Sequence, residues 1–127
     1  MIRILIAEDQ KLVRQGLKMM IETDPEMKVT GEASNGLEAL ELMERNHYDI
    51  IILDIRMPEM DGLEAARRII NRNPAQKVLI LTTFNDDAYA LEALRIGASG
   101  YMLKDADAEA LIRSIRSALS GGLSIEE

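Results

Sequence analysis

Three short, nearly continuous apolar runs, Ile2 to Ala7, Ile50 to Leu53 and Val78 to Leu81, constrain the fold of this chain more than any other feature. Each is rich in β-branched or leucine side chains, is bounded by polar residues and is too short for a helix. That is the pattern of a strand buried on both faces of a parallel sheet. Val29 to Ala33 and Tyr101 to Leu103 are two weaker strand candidates. Helical spacing fills the intervals: Val13, Leu17, Met20 and Ile21 fall at i, i+4, i+7 and i+8, and Leu111, Ile112, Ile115 and Leu119 mark a second amphipathic stretch. Leu40 and Met43 mark a helix that begins near Gly36, and Ala65, Ala66 and Ile69 one after Gly62. Ala90, Leu91 and Leu94 mark another, ended by Gly97 as a C-cap.

Five strand-then-helix repeats predict an α/β domain: a parallel sheet with right-handed crossovers and helices on both faces. Ligands of such sheets bind beyond the carboxyl ends of the strands, near the point where the strand order reverses. A chain of 127 residues, 47% of them hydrophobic, is enough for one core, so a single self-folding domain is expected. Cysteine is absent, which removes the usual support of small secreted domains. Met1 to Ala7 runs straight into Glu8 and Asp9, unlike a signal peptide, and no apolar run approaches the roughly 20 residues that span a bilayer. These features predict a soluble, cytoplasmic protein without membrane contact. The formal charge of −7 predicts repulsion from a phosphate backbone, so no direct nucleic-acid binding is expected of this domain.

The chemistry-bearing residues follow the strands. Glu8 and Asp9 come after the first, Asp54 after the central one, Thr82 and Thr83 after the next, and Lys104 after the last. With these strands adjacent, three carboxylates, two hydroxyls and an ammonium converge on one rim. Carboxylates grouped this way repel one another unless a cation or a lysine compensates. Hard oxygen donors with room left for water and phosphate oxygens suit Mg2+, which prefers octahedral ligands at about 2.0–2.1 Å. An aspartate beside such an ion can attack phosphorus, while the cation and Lys104 offset the charge of the phosphoryl oxygens. Singly, each residue has a plainer explanation: Glu8 or Asp9 as a helix cap or first-turn acid, Asp54 as a turn residue, Thr82 as a strand end. Their succession at consecutive strand ends favours the shared site.

Taken together, Glu8-Asp9, the segment Leu53-Asp54-Ile55-Arg56-Met57-Pro58-Glu59-Met60-Asp61-Gly62, Thr82-Thr83 and Lys104 resemble the receiver (CheY-like) domain of bacterial two-component response regulators. The resemblance extends over essentially the whole chain. It implies a flavodoxin-like (βα)5 doubly wound sheet of five parallel strands in the order 2-1-3-4-5. It also implies that Asp54 is the phosphoacceptor and, with Asp9, Glu8 and the backbone carbonyl of Arg56, a ligand of Mg2+. Thr82 is then the switch hydroxyl, Lys104 pairs with the phosphoryl group, Thr83 adds a backbone amide, and Tyr101 turns inward when Thr82 moves.

Asp9-Gln10-Lys11-Leu12-Val13-Arg14, Val29-Thr30-Gly31-Glu32-Ala33 and Gly97-Ala98-Ser99-Gly100-Tyr101 resemble the NarL/FixJ class within that family. This implies a sensor histidine kinase as phosphodonor, a C-terminal helix-turn-helix DNA-binding domain that this chain lacks, and homodimer formation on phosphorylation. The domain is then a switch rather than an enzyme, apart from its own phosphoryl transfer and autodephosphorylation. Residues 1–119 are read as the receiver, and residues 120–127, opening with Ser120-Gly121-Gly122, as the start of a linker. A stand-alone receiver acting by protein contact is the alternative. Where many receivers have proline after the lysine and a cis bond, this chain has Asp105, which leaves the isomer of the Lys104–Asp105 bond open.

Two rival classes fit less well. A magnesium-dependent aspartyl phosphatase resembles Asp-x-Asp-x-Thr at its nucleophile, and Arg56 stands where its second acid belongs. A flavin or nucleotide binder of the same topology needs a phosphate loop after the first strand, where this chain has two acids. His47 is expected to be a solvated loop residue, the methionines mostly packing, and Arg67, Arg68 and Arg72 a solvated helix face.

Overall fold

Successive residues of the central strands point to opposite sides of one sheet, and both sides are covered. In the computed structural model Ile4, Ile6, Ile50, Ile52, Leu79 and Leu81 belong to one core, whereas Leu5, Ala7, Ile51, Leu53, Val78 and Ile80 belong to another. Burial on both faces is why these strands read as unbroken apolar runs rather than as alternating ones. The structure describes residues 1–83 and 87–121, and of residues 124–126 the backbone.

The order of elements is β1 (Ile2–Ala7), α1 (Lys11–Ile21), β2 (Met27–Ala33), α2 (Gly36–Arg45), β3 (Ile50–Asp54), α3 (Gly62–Arg72), β4 (Lys77–Thr82), α4 (Asp87–Ile96), β5 (Gly100–Leu103), α5 (Ala108–Leu119) and β6 (Ser124–Glu126). All pairings are parallel, in the order β2-β1-β3-β4-β5-β6. The expected flavodoxin-like order is therefore present, with one addition: the outer edge of β5 does not end the sheet. Ser124–Glu126 pairs along it, from Gly100↔Ser124 to Met102↔Glu126, occupying backbone groups that an edge strand leaves open. The segment expected to begin a linker thus contributes a short strand, while Gly122 of its Ser120-Gly121-Gly122 opening lies outside the described residues.

Helices α1 and α5 cover one face, through Leu17, Ile21, Leu111, Ile115 and Ala118, and α2, α3 and α4 cover the other. Truncating one of these buried leucines or isoleucines to alanine costs about 2–5 kcal/mol. In α4 the structure corrects the expected core face. Leu91 and Leu94 are exposed at 55% and 38%, while Ala93 is buried and Tyr89, Ala90 and Ile96 pack beside it. Tyr89, Ala93 and Ile96 stand at i, i+4 and i+7, so they define the face turned to the sheet. Gly97 ends the helix as expected, at φ +99°, with its N–H on the Leu94 carbonyl and that of Ala98 on Ala93.

The β1–β2 register shifts between Ile4↔Val29 and Leu5↔Gly31, so Thr30 is a bulged extra residue. Met27 and Val29 therefore face the α1 side, whereas Ala33 joins the opposite core. A β-carbon on Gly31 would run into the ring of Tyr48 in that second core, so this close approach requires glycine. Among the described residues no peptide bond is cis, so Lys104–Asp105 is trans, and no helix is long and apolar enough to cross a membrane.

Candidate functional site

The strands of this sheet deliver the acids to its carboxyl edge. β1 ends at Ala7 against Leu53 of β3, which puts Glu8 and Asp9 beside Asp54. One carboxylate oxygen from each of Glu8, Asp9 and Asp54 lies within 4.8 Å of the others. The plainer capping explanation of Glu8 and Asp9 fails, because α1 starts at Lys11, its cap residue is Gln10 and its first turn holds no acid. By contrast Asn35, Asp61 and Asp107 do cap their helices, accepting from the N–H groups of Glu38, Glu64 and Ala110.

Lys104 reaches this group from the end of β5. Its own N–H binds the Thr82 carbonyl at 2.7 Å, and its ammonium meets the Glu8 carboxylate and Asp54 Oδ2, the latter at 2.9 Å. Burial pulls the Lys104 ammonium down, but its hydrogen bonds to Glu8 and Asp54 outweigh this, and its pKa lies above the ordinary value. Glu8 is almost fully buried, and desolvation pushes its carboxyl up. The Gln10 N–H and Lys104 oppose that shift, while the neighbouring Asp9 and Asp54 carboxylates add to it. Three carboxylates face one ammonium, so the rim in its ionised form carries two uncompensated negative charges. Such an all-oxygen set with an excess charge of two fits Mg2+ in charge and in ligand hardness.

The loop after Asp54 is held by backbone contacts. Ile55 donates to Leu81 at 3.0 Å, extending the β3–β4 ladder, and Gly62 donates back to Ile55 at 2.8 Å. A β-carbon on Gly62 would overlap the carbonyl of Asp54, so only glycine lets α3 start this close to the acid. Within the loop Glu59 has φ +68°, and the Met60 N–H bonds the Pro58 carbonyl across it in a tight turn. The Arg56 N–H reaches Asp54 Oδ1 at 3.4 Å, and the Arg56 side chain is exposed.

Thr82 is buried at the end of β4 opposite Leu103, and Thr83 is exposed. Tyr101 pairs with Ile80 and lies within the α2–α4 core at 4% exposure, so its ring already sits inward in this structure. His47 is exposed and meets Asp49 at 3.3 Å, away from the rim. Arg67 and Arg68 are exposed and paired with Glu64, Arg67 also with Glu92, and Arg72 with Glu44. Among the methionines only Met1 and Met19 are strongly exposed. Sequence reasoning missed the part played by Gly62, although its position one residue after a capping aspartate was a visible sign of a crowded helix start.

The sheet is doubly wound, with a buried aspartate at its central strand end that is flanked by two acids and tied to a lysine, and acids stand after β1 where a nucleotide binder has its phosphate loop. The chain belongs to the response regulator receiver domain family, whose model matches residues 4–116. It is 41% identical over 95% of its length to the transcriptional regulatory protein DegU of Brevibacillus brevis, covering 51% of that protein. With the nitrate/nitrite response regulator protein NarL of Escherichia coli K12 it shares 35% identity over 98% of its length and 57% of the relative's. The chain thus spans about half the length of these curated relatives. A LuxR-family two-component response regulator from Aurantimonas sp. superposes with a TM-score of 0.92 at 35% identity, over 96% of this chain and 87% of the other. These likenesses agree with the NarL/FixJ character of the sequence.

Proposed function

We propose that Asp54 accepts a phosphoryl group from a sensor histidine kinase, and that the resulting mixed anhydride drives the output of a longer regulator. The carrying observation is the convergence of Glu8, Asp9 and Asp54 on one rim with Lys104 bonded to two of them. An Asp54 carboxylate oxygen attacks phosphorus, a P–O bond forms, and the bond to the donor imidazole nitrogen breaks with its electron pair kept by that nitrogen. Glu8, Asp9, Asp54 and the Arg56 carbonyl would hold Mg2+, which when bound would offset the charge of the phosphoryl oxygens. Lys104 exchanges its carboxylate partners for a phosphoryl oxygen, Thr82 supplies a hydroxyl and Thr83 a backbone amide. Withdrawal of Thr82 toward the phosphoryl group biases Tyr101 and the β4–β5 surface between two arrangements. The protein is on this reading a switch whose only chemistry is its own phosphorylation and dephosphorylation.

DegU is a transcriptional regulatory protein about twice as long as the part matched here, which supports reading this receiver as the partner of a DNA-binding domain, with residues from 120 onward leading to it. The receiver's −7 charge suits a role in bringing two such domains together by homodimer formation rather than in touching DNA. Incubation with Mg2+ and acetyl phosphate, followed by intact mass, tests the central step. One phosphoryl group is expected on the parent and none on Asp54→Ala; stoichiometric labelling of the variant overturns the assignment. Sedimentation with and without beryllofluoride tests dimer formation, and an unchanged monomer over a wide concentration range refutes it.

A further inference from the structure

Two segments that mark the NarL/FixJ resemblance, the one ending in Arg14 and the one containing Glu32, have no part in the chemistry above, yet they meet at the rim. Arg14 of α1 is largely buried, with a side chain 12% exposed. Its Nη1 donates to the backbone carbonyl of Glu8 at 2.7 Å, and its Nε donates to Glu32 Oε1 at 2.9 Å. Glu32 is held in turn by Gln15 Nε2 at 2.9 Å and lies 3.8 Å from the Lys18 ammonium. The other side of the Glu8 backbone is also tied to β2, its N–H donating to the Ala33 carbonyl at 3.0 Å.

The bulge at Thr30 makes this contact possible. Before it, Met27 and Val29 face α1, so in an unbroken strand Lys28, Thr30 and Glu32 would face away. The extra residue reverses the alternation, and Ala33 turns to the α2 side while Glu32 turns to α1. The carbonyl that Arg14 holds belongs to the peptide joining Glu8 to Asp9, two of the three acids of the rim. Fixing that peptide plane places the Asp9 N and Cα, the atoms from which its side chain departs.

We infer that Arg14, held by Glu32 through the β2 bulge, is a positioning residue that sets the affinity of the rim for a divalent cation by orienting the Glu8–Asp9 peptide. The inference rests on the cation-binding reading of Glu8, Asp9 and Asp54. Residues that orient metal ligands without touching the metal typically change its affinity by about 10–100-fold when removed. Electrostatics alone predicts the opposite sign, because deleting a positive charge beside a cation site strengthens cation binding.

Calorimetric titration of the whole chain with Mg2+ alone, at fixed ionic strength, separates these. Arg14→Met is expected to weaken Mg2+ binding about tenfold or more, and Glu32→Ala to weaken it in the same direction. The double variant should match Arg14→Met within about twofold, because Glu32 acts only through Arg14. Glu32→Gln keeps an acceptor oxygen for Arg14 and should stay within about twofold of the parent, which a role for the Glu32 charge would not allow. If Arg14→Met does not fold by circular dichroism, Arg14→Lys takes its place; its single ammonium cannot bridge both partners and should give a smaller loss in the same direction. Parent-like or tighter binding by the Arg14 variant, or additive losses in the double variant, overturns the inference alone. A parent that does not bind Mg2+, or an Asp9→Ala variant that binds like the parent, overturns the cation reading and this inference with it.

Discussion

Asp9→Ala should make the protein more stable without Mg2+ and less stable with it. Asp9 is exposed, so truncation removes little packing, but its carboxylate approaches those of Glu8 and Asp54 within 4.8 Å. Two like charges at that spacing repel by about 1 kcal/mol in a water-like dielectric and about 3 kcal/mol in the effective dielectric of a protein surface. Because Asp9 faces solvent, the lower part of that range applies, and losing its two repulsions should stabilise the magnesium-free protein by about 1–2 kcal/mol. For a chain of 127 residues that is a rise in Tm of about 4–8 °C. Mg2+ reverses the order: at about a hundred times Kd a ligand specific for the native state adds about 2.7 kcal/mol, which the parent gains and the variant largely forfeits. Thermal melts of both proteins across a Mg2+ series should therefore cross. A variant that melts below the parent without Mg2+, or that gains as much from Mg2+ as the parent does, refutes the reasoning.

Lys104→Met leaves Glu8 and Asp54 without their ammonium and should cost about 2–3 kcal/mol without Mg2+, somewhat less than a fully enclosed pair; an unchanged urea midpoint would contradict this. Gly62→Ala places a methyl against the Asp54 carbonyl and should lose about 1–3 kcal/mol by chemical denaturation and slow phosphoryl uptake, whereas parent-like uptake would argue that the loop relaxes freely. Asp49 is held below the usual carboxylate range by the Arg3 N–H at 2.8 Å, against its partial burial and with help from His47. A lowered native pKa contributes stability that is complete above the unfolded value of about 3.9 and lost as pH falls through the native one, so Asp49→Asn should flatten the acid limb of the stability–pH curve. An acid limb identical to the parent's would sink that assignment.

The strands were legible in the sequence because burial on both faces demands uninterrupted apolar residues, and the helices because a 3.6-residue period marks one covered face. The order of acids, hydroxyls and lysine along the chain was equally plain, since in a parallel sheet every strand end lies on the same side. These are properties of single segments, and a segment's periodicity reports them without knowledge of its neighbours. The packing partners were not legible in the same way. Leu91 and Leu94 satisfied a helical pattern yet face outward, because Tyr89, Ala93 and Ile96 offer α4 an alternative face and only docking on the sheet chooses between them. Ser124–Glu126 carries no strong strand signal and pairs because β5 leaves an edge open to it. Arg14 and Glu32, eighteen positions apart, meet only because a one-residue bulge reverses the alternation of β2, and a bulge is a property of the register between two strands, which neither strand encodes alone.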